Sequence, residues 1–313
     1  KYVENTFSSN VVISKLDELY SKTINIPSLV EPKNIYNSYD IEYLETDLTN
    51  IILNKQIHYN YNGIDFMYNN KKNKKLLILF HGSVTLNVEK PVFYGYNIDP
   101  NDYDILSFSD PLIKKYENLE LSWFLSTDSF NTFQLIKDII NIIKSKYTNV
   151  LCHGSSGGGI PSLLISSYFK FDCIINNSQI YLSKYWNYSL MKNIVKDLIE
   201  IDIEKKILEF GLPNKLYLYQ NIYDEQHYNE HYNKFKLFLK SNFDCSNVYF
   251  NEFIREDIGK AIPWYPDVEQ YYKLRHDTLG KHHNSPFPEG VYKDRIFSDI
   301  LNNKEIDSYK EDD

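Results

Sequence analysis

From Gln56 onward, apolar and polar positions alternate with a period of two in IHYNYNGIDFMY, and Asn62-Gly63 interrupts the alternation at its centre. That pattern predicts a β-hairpin closed by a type I′ turn. Lys75–Phe80 (KLLILF) is instead a continuous apolar run of strand length, as expected for a strand buried on both faces. Tyr103–Phe108 and Phe171–Asn176 read as further strands, as do Lys215–Gln220 and Val248–Phe253; Leu119–Leu125 is a weaker candidate. Between them the period lengthens. Asp128 is expected to cap a helix running to Lys146, with Phe130, Phe133, Ile136, Ile140 and Ile143 on one face. A helix is predicted from about Ile160 to Phe169, another through Lys240, and a closing one over Val291–Asn302.

Strands alternating with helices imply βαβ units and a mostly parallel central sheet flanked by helices. Residues 1–50 are polar with scattered apolar positions and carry only a short candidate helix near Val12–Tyr20, so they read as an N-terminal extension or cap. Residues 51–313 then form one α/β domain. Within it, 179–213 is expected to be a helical insertion, with Leu190, Ile194, Leu198 and Ile201 as its apolar stripe, placed where a lid would cover a substrate.

Composition narrows the function classes. The 313 residues carry a net charge of −8, which leaves no face to neutralise nucleic-acid phosphates. Lys71–Lys75 is the one basic cluster and reads as a solvated turn. The 28 tyrosines beside only 11 glycines reflect a coding bias and are not a functional signal. Cys152 and Cys173 sit in apolar runs, as buried free thiols do, which fits a reducing compartment. No stretch has the length of a transmembrane helix, and KYVENTFSS lacks a signal peptide's apolar region, so a cytoplasmic location is the expectation. The sequence does not specify an oligomeric state.

The candidate chemistry centres on Asn149–Leu164, NVLCHGSSGGGIPSLL. A short apolar run enters Gly154-Ser155-Ser156-Gly157-Gly158 and an amphipathic segment follows without a spacer. Strand, sharp turn and helix are the context in which G-x-S-x-G exposes a nucleophile, here Ser156. The flanking glycines let strand and helix pass closely. A phosphate-binding glycine loop shares the outline, but this run has no lysine after its glycines. At the start of the new helix the Gly157 N–H would face an oxyanion, and the loop His81-Gly82-Ser83 after KLLILF would add a second N–H from Ser83 or Val84. His81 itself is expected to brace that loop.

A serine needs a base, and the base needs an acid to fix its tautomer. Asp224 follows the KLYLYQ strand, and His282 and His283 lie in a Gly/Pro-rich loop before the final helix, which is the order Ser, Asp, His. His276-Asp277 is an alternative base. His227 and His231, four apart on a helix beside Asp224, allow a metal reading, though no H-E-x-x-H is present and the expectation is no metal. Trp123 and Trp264 could line a sugar or acyl pocket, or equally belong to the core.

With GSSGG as elbow, HGS as oxyanion loop, Asp224 as acid and a late histidine, residues 56–303 resemble an α/β-hydrolase. More narrowly, NIYDEQHYNEH and KHHNSPFP resemble α/β-hydrolase-like proteins that tailor bacterial surface polysaccharides, which carry N-x-x-D-x-x-H and a late G-H-x-x-P loop. The glycine here is displaced to Gly280. The H-x-x-P spacing favours His283 over His282. The resemblance implies an O-acetyltransferase or esterase that needs no bound cofactor, with acetyl-CoA or another small ester as acyl donor and a glycan as acceptor. A general carboxylesterase and a non-catalytic scaffold of the same fold are the alternatives.

Overall fold

In a computed structural model, residues 42–45, 56–84, 90–95, 98, 100–116, 118–185, 188–222, 224–254 and 293–304 are described. Val12–Tyr20, Trp264, His276, His282 and His283 lie outside them. Among the described residues nine strands form one sheet: β1 (Glu42–Glu45), β2 (Gln56–Tyr61), β3 (Ile64–Asn69), β4 (Lys75–Phe80), β5 (Asp104–Phe108), β6 (Asn149–Ser155), β7 (Asp172–Asn176), β8 (Leu216–Asn221) and β9 (Val248–Phe253). Their spatial order is β1-β2-β3-β5-β4-β6-β7-β8-β9. From β5 to β9 every neighbouring pair is parallel, while β3 runs antiparallel to both β2 and β5.

The hairpin turns as its sequence requires. Asn62 and Gly63 both have positive φ, +48° and +89°, the requirement of a type I′ turn. The sheet also takes in β1, inside the segment the apolar pattern left as extension; a four-residue edge strand, EYLE, is too short to show alternation.

The helices are α1 (Pro111–Lys115), α2 (Thr132–Ile143), α3 (Gly159–Phe169), α4 (Tyr188–Ile194), α5 (Ile203–Phe210), α6 (Glu225–His227), α7 (Asn233–Asn242) and α8 (Lys293–Leu301). Ile136, Ile139, Ile140 and Ile143 of α2 lie in one core cluster with Leu76, Ile78 and Phe80 of β4 and with Phe66 and Tyr68 of β3. On β6, Cys152 belongs to that cluster, while the ring of the next residue, His153, lies 4.7 Å from that of Phe297 of α8, tilted by 49°. The buried thiols of Cys152 and Cys173 stand in register across β6 and β7, and burial pushes the Cys152 thiol up to about 12. Among the described residues no helix is long and apolar enough to cross a membrane.

Three elements differ from the pattern-based expectation. Helix α2 is capped by Asn131, whose side chain accepts the Gln134 N–H, and not by Asp128, whose own N–H donates to Asp197 O. The 179–213 segment is not one helical run. Residues 195–202 are non-helical and pair with 126–128 through Thr127–Leu198 and Ile199 N–H to Ser126 O, so backbone bonds to another loop replace helical ones. Of the expected stripe, Ile194, Leu198 and Ile201 pack against the core beside the buried Tyr188, Met191 and Val195, and Leu190 alone is exposed, at 50%. Residues 119–125 are a loop and not a strand, for a reason that belongs to the site.

Candidate functional site around Ser156

The parallel strands end at one edge of the sheet, and the candidate residues follow those ends. Ser155 and Asn176 are register partners, as are Asn176 and Tyr219, so Ser156, Asn177 and the Asp224 loop leave β6, β7 and β8 at a common level.

Ser156 has φ +56°, a left-handed conformation that costs a non-glycine residue about 1–2 kcal/mol. The turn is enforced by close packing on both sides. A Cβ on Gly154 would lie 2.0 Å from Gly158 O, and one on Gly158 would lie 2.3 Å from Phe80 O, so both positions exclude a side chain. The Ser156 side chain is buried, yet its Oγ has no hydrogen-bond partner among the described residues. A hydroxyl held in a strained turn without a partner is an exception among buried polar groups, and such exceptions gather at functional sites.

The oxyanion loop is brought against this turn. A Cβ on Gly82 would lie 3.4 Å from Ser156 Cβ and 3.6 Å from Gly157 N. His81 sets the loop's orientation. Its Nε2 accepts the Asp110 N–H at 2.9 Å, so the proton sits on Nδ1, which donates to Gly82 O at 2.7 Å. Since C=O and N–H of a trans peptide point in opposite directions, fixing Gly82 O turns the Ser83 N–H to the other side. Burial holds the His81 imidazole below its ordinary range, which keeps it neutral for this role. Of the two amides considered for the oxyanion hole, that of Val84 is already committed, donating to Glu120 O at 2.9 Å. Ser83 is the remaining candidate.

The loop from Leu119 to Leu125 is shaped by Asp110, which is fully buried. One carboxylate oxygen accepts the Leu112 N–H, capping α1, and the Ser122 hydroxyl; the other accepts the N–H groups of Ser122 and Phe124, each at 3.1 Å. Drawn toward a single carboxylate, Trp123 and Phe124 both adopt left-handed φ, +52° and +56°, which no strand permits. The loop in turn presses Leu121 against the elbow: a Cβ on Gly157 would meet Leu121 Cδ1 at 2.5 Å.

Trp123, a candidate for pocket wall or core, is 1% exposed and packs edge-on against Tyr185 and Tyr188. Its indole N–H donates to Gln179 Oε1 at 2.8 Å, and the Gln179 N–H donates to Ser156 O at 3.3 Å. Trp123 thus reaches the elbow through Gln179.

Asp224 is buried and caps α6, accepting the His227 N–H at 3.3 Å with His227 Nδ1 at 3.0 Å from the same oxygen. Its loop is tied to the elbow's neighbour: Asn177, at φ +42°, accepts the Asn221 N–H on its side-chain oxygen at 2.9 Å. Asn221 is the first residue of N-x-x-D-x-x-H, and this bond joins the ends of β7 and β8. A π-helical turn, Tyr228–Tyr232, follows α6 and carries His231, whose Nδ1 accepts the Tyr181 N–H at 3.1 Å. Among the described residues no group of three or more His, Cys, Asp or Glu is arranged to hold a metal ion.

Sequence reasoning passed over Asp110, Asn177 and Gln179. The signal for the last two was a polar run, Asn176-Asn177-Ser178-Gln179, directly after an apolar strand, and all four prove to be buried. For Asp110 the signal was Ser-Asp-Pro, a helix-start signature at a strand end.

No protein-family profile and no curated protein sequence matches the chain. Solved structures do. Over 64% of this chain and 86% of the other, it superposes on a capsule O-acetyltransferase of Neisseria meningitidis serogroup A in complex with caged gadolinium, with TM-score 0.52 and 22% identity. A second structure of the capsule O-acetyltransferase gives TM-score 0.52 at 20% identity, over 64% of this chain and 87% of that one. An esterase of Pyrococcus furiosus matches at TM-score 0.44 and 17% identity, over 67% and 85% of the two chains. The run of parallel strands, the left-handed serine between β6 and α3 and the two superpositions on the capsule O-acetyltransferase agree: the chain has the α/β-hydrolase fold.

Proposed function

We propose that the protein transfers an acyl group through an ester on Ser156, and that it forms or cleaves an O-acetyl ester on a surface polysaccharide. The observation that carries the first part is the buried Ser156 hydroxyl at φ +56°, without a partner among the described residues and with the Gly82 backbone packed beside it. In this reading Ser156 Oγ attacks the acyl carbonyl while His283 takes its proton. The carbonyl electrons move to oxygen, where the N–H groups of Gly157 and Ser83 receive them. The intermediate collapses, His283 returns the proton to the departing alcohol or thiol, and the acyl group stays on Ser156. An acceptor hydroxyl then gives its proton to His283 and attacks the ester, and as the ester bond to the serine breaks His283 returns that proton to Ser156 Oγ. Asp224 holds the imidazole and stabilises its charged form. The likeness to a capsule O-acetyltransferase supports the glycan as the group acted upon, with acetyl-CoA or a simple acetyl ester as donor.

Fluorophosphonate labelling tests the serine. Labelling of the native protein, lost in Ser156→Ala with the fold retained, is expected; undiminished labelling of that variant moves the nucleophile elsewhere, first to Ser155. Incubation with acetyl-CoA or nitrophenyl acetate, with and without a capsular oligosaccharide, tests the acceptor. Faster donor turnover with the sugar and a gain of one acetyl mass on it are expected. Equal donor hydrolysis in both tubes with unchanged sugar mass would leave a general esterase, and no labelling at all would leave a scaffold.

A further inference from the structure

The Gln179 side chain is fully buried and only half satisfied. Its Oε1 accepts the Trp123 indole N–H, whereas its Nε2 has no partner among the described residues. The amide cannot be turned over to relieve this, because an indole N–H only donates and requires the oxygen. Leaving a buried NH2 unpaired costs about 1–3 kcal/mol. Trp123 is itself locked, between Tyr185 and Tyr188 and in a backbone conformation imposed by Asp110. A rigid apparatus therefore holds an unsatisfied donor in place.

The residue that carries this donor lies beside the nucleophile. The Gln179 backbone N–H donates to Ser156 O, and the trans peptide then turns the Gly157 N–H away from Gln179. Since β6 lies between β4 and β7, Gln179 at the end of β7 flanks Ser156 on one side and Gly82-Ser83 at the end of β4 flanks it on the other. A carbonyl oxygen bound by the Gly157 and Ser83 amides would thus lie on the side of Ser156 away from Gln179.

We infer that Gln179 is a specificity-determining residue whose Nε2 donates a hydrogen bond to an acceptor oxygen in the alcohol portion of the ester, so that the site selects acylated polyols and sugars over alkyl esters. This rests on Ser156 being the nucleophile. Every ester of a sugar carries ether or hydroxyl oxygens within two carbons of the ester oxygen, while an alkyl ester has none and would leave Nε2 bare.

Two esters of equal shape isolate that oxygen: 2-methoxyethyl acetate and butyl acetate. An ether oxygen only accepts, so only a donor such as Nε2 recognises it. The native protein is expected to show kcat/KM about tenfold higher for the methoxyethyl ester. In Gln179→Met the ratio should fall to about one. In Gln179→Glu, where the carboxylate still accepts from Trp123 but its second oxygen opposes the ether oxygen, the ratio should fall below one. Because each readout is a ratio within one protein, lowered stability of a variant does not imitate it, and the two variants test the same donor independently. Equal rates of the native protein on the two esters, including no turnover of either, overturn the inference, as does a preference that survives in both variants. Fluorophosphonate labelling of Ser156 in the same preparation separates the two levels: labelling with no ester preference refutes the role of Gln179 alone, while its absence refutes the serine.

Discussion

Replacing Asp110 tests the account of how the site's wall is built. The carboxylate receives four donors, two on each oxygen, in the absence of solvent. Asn has the same shape but one acceptor oxygen, so its NH2 must face one of the two pairs. Facing Ser122 N–H and Phe124 N–H, it would oppose two fixed donors. Facing the other pair is cheaper, because the Ser122 hydroxyl can rotate to accept, and only the Leu112 cap bond is then lost. A lost N-cap costs about 1 kcal/mol, and exchanging charge-assisted for neutral bonds at the remaining donors costs about 1–2 more. Asp110→Asn should therefore destabilise by about 2–3 kcal/mol. Asp110→Ala leaves every donor bare and should cost about 5 kcal/mol, in the range reserved for broken buried networks. The assay is urea unfolding followed by tryptophan emission, with the loss read from the midpoint at unchanged slope. Since the Ser122 and Phe124 bonds hold Leu121 against Gly157, phosphonate labelling of Ser156 should also slow in the Ala variant, which loses them, and stay near the native rate in the Asn variant, which keeps them. A midpoint within about 0.5 kcal/mol of the native protein, or equal losses for Asn and Ala, would refute the reasoning.

Gly154→Ala should cost about 3 kcal/mol or more and abolish Ser156 labelling, because its Cβ meets Gly158 O at 2.0 Å and neither partner is a movable side chain; a soluble variant with native labelling rate contradicts this. Burial, and after it the neighbouring His227, lowers His231 to about 3, whereas an unfolded histidine titrates near ~6.5. Between those values the unfolded chain holds the extra proton, so stability falls as pH drops through that window, by at most about 1.4 kcal/mol per pH unit from this group. His231→Gln should lose less stability than the native protein between pH 7 and pH 4.5, and identical losses by urea unfolding would remove His231 as the cause. His283→Ala should lower turnover of nitrophenyl acetate by several orders of magnitude and His282→Ala should leave it nearly intact; the opposite result exchanges their roles. EDTA dialysis should leave turnover unchanged, and loss reversed by Zn²⁺ would instead point to Asp224, His227 and His231 as ligands.

Local signals determined the parts of this protein that depend on local physics. Continuous apolar runs identify β4 and β6 because a strand covered on both faces admits few polar residues, and Asn62-Gly63 identifies its turn because a type I′ turn demands positive φ at both positions. Gly154, Ser156 and Gly158 were legible for the same reason, since a strand cannot turn into a helix at such close range with side chains at the flanking positions. What no local pattern could indicate is which distant group a buried donor meets. The run Leu119–Leu125 has the composition of a strand, yet Asp110, 12 residues from Ser122 in sequence, collects its amides and bends it into a left-handed loop. The stripe beginning at Leu190 has helical spacing, yet residues near 198 bond to Thr127 and Ser126 and give up the helix. Trp123 reads equally as a pocket wall or a core residue, and it is the loop that turns it inward and makes it the anchor of Gln179. In each case a buried hydrogen bond to a group far along the chain outweighed propensities worth only tenths of a kcal/mol per residue. Such bonds exist only once the sheet has assembled, so tertiary structure alone decided them.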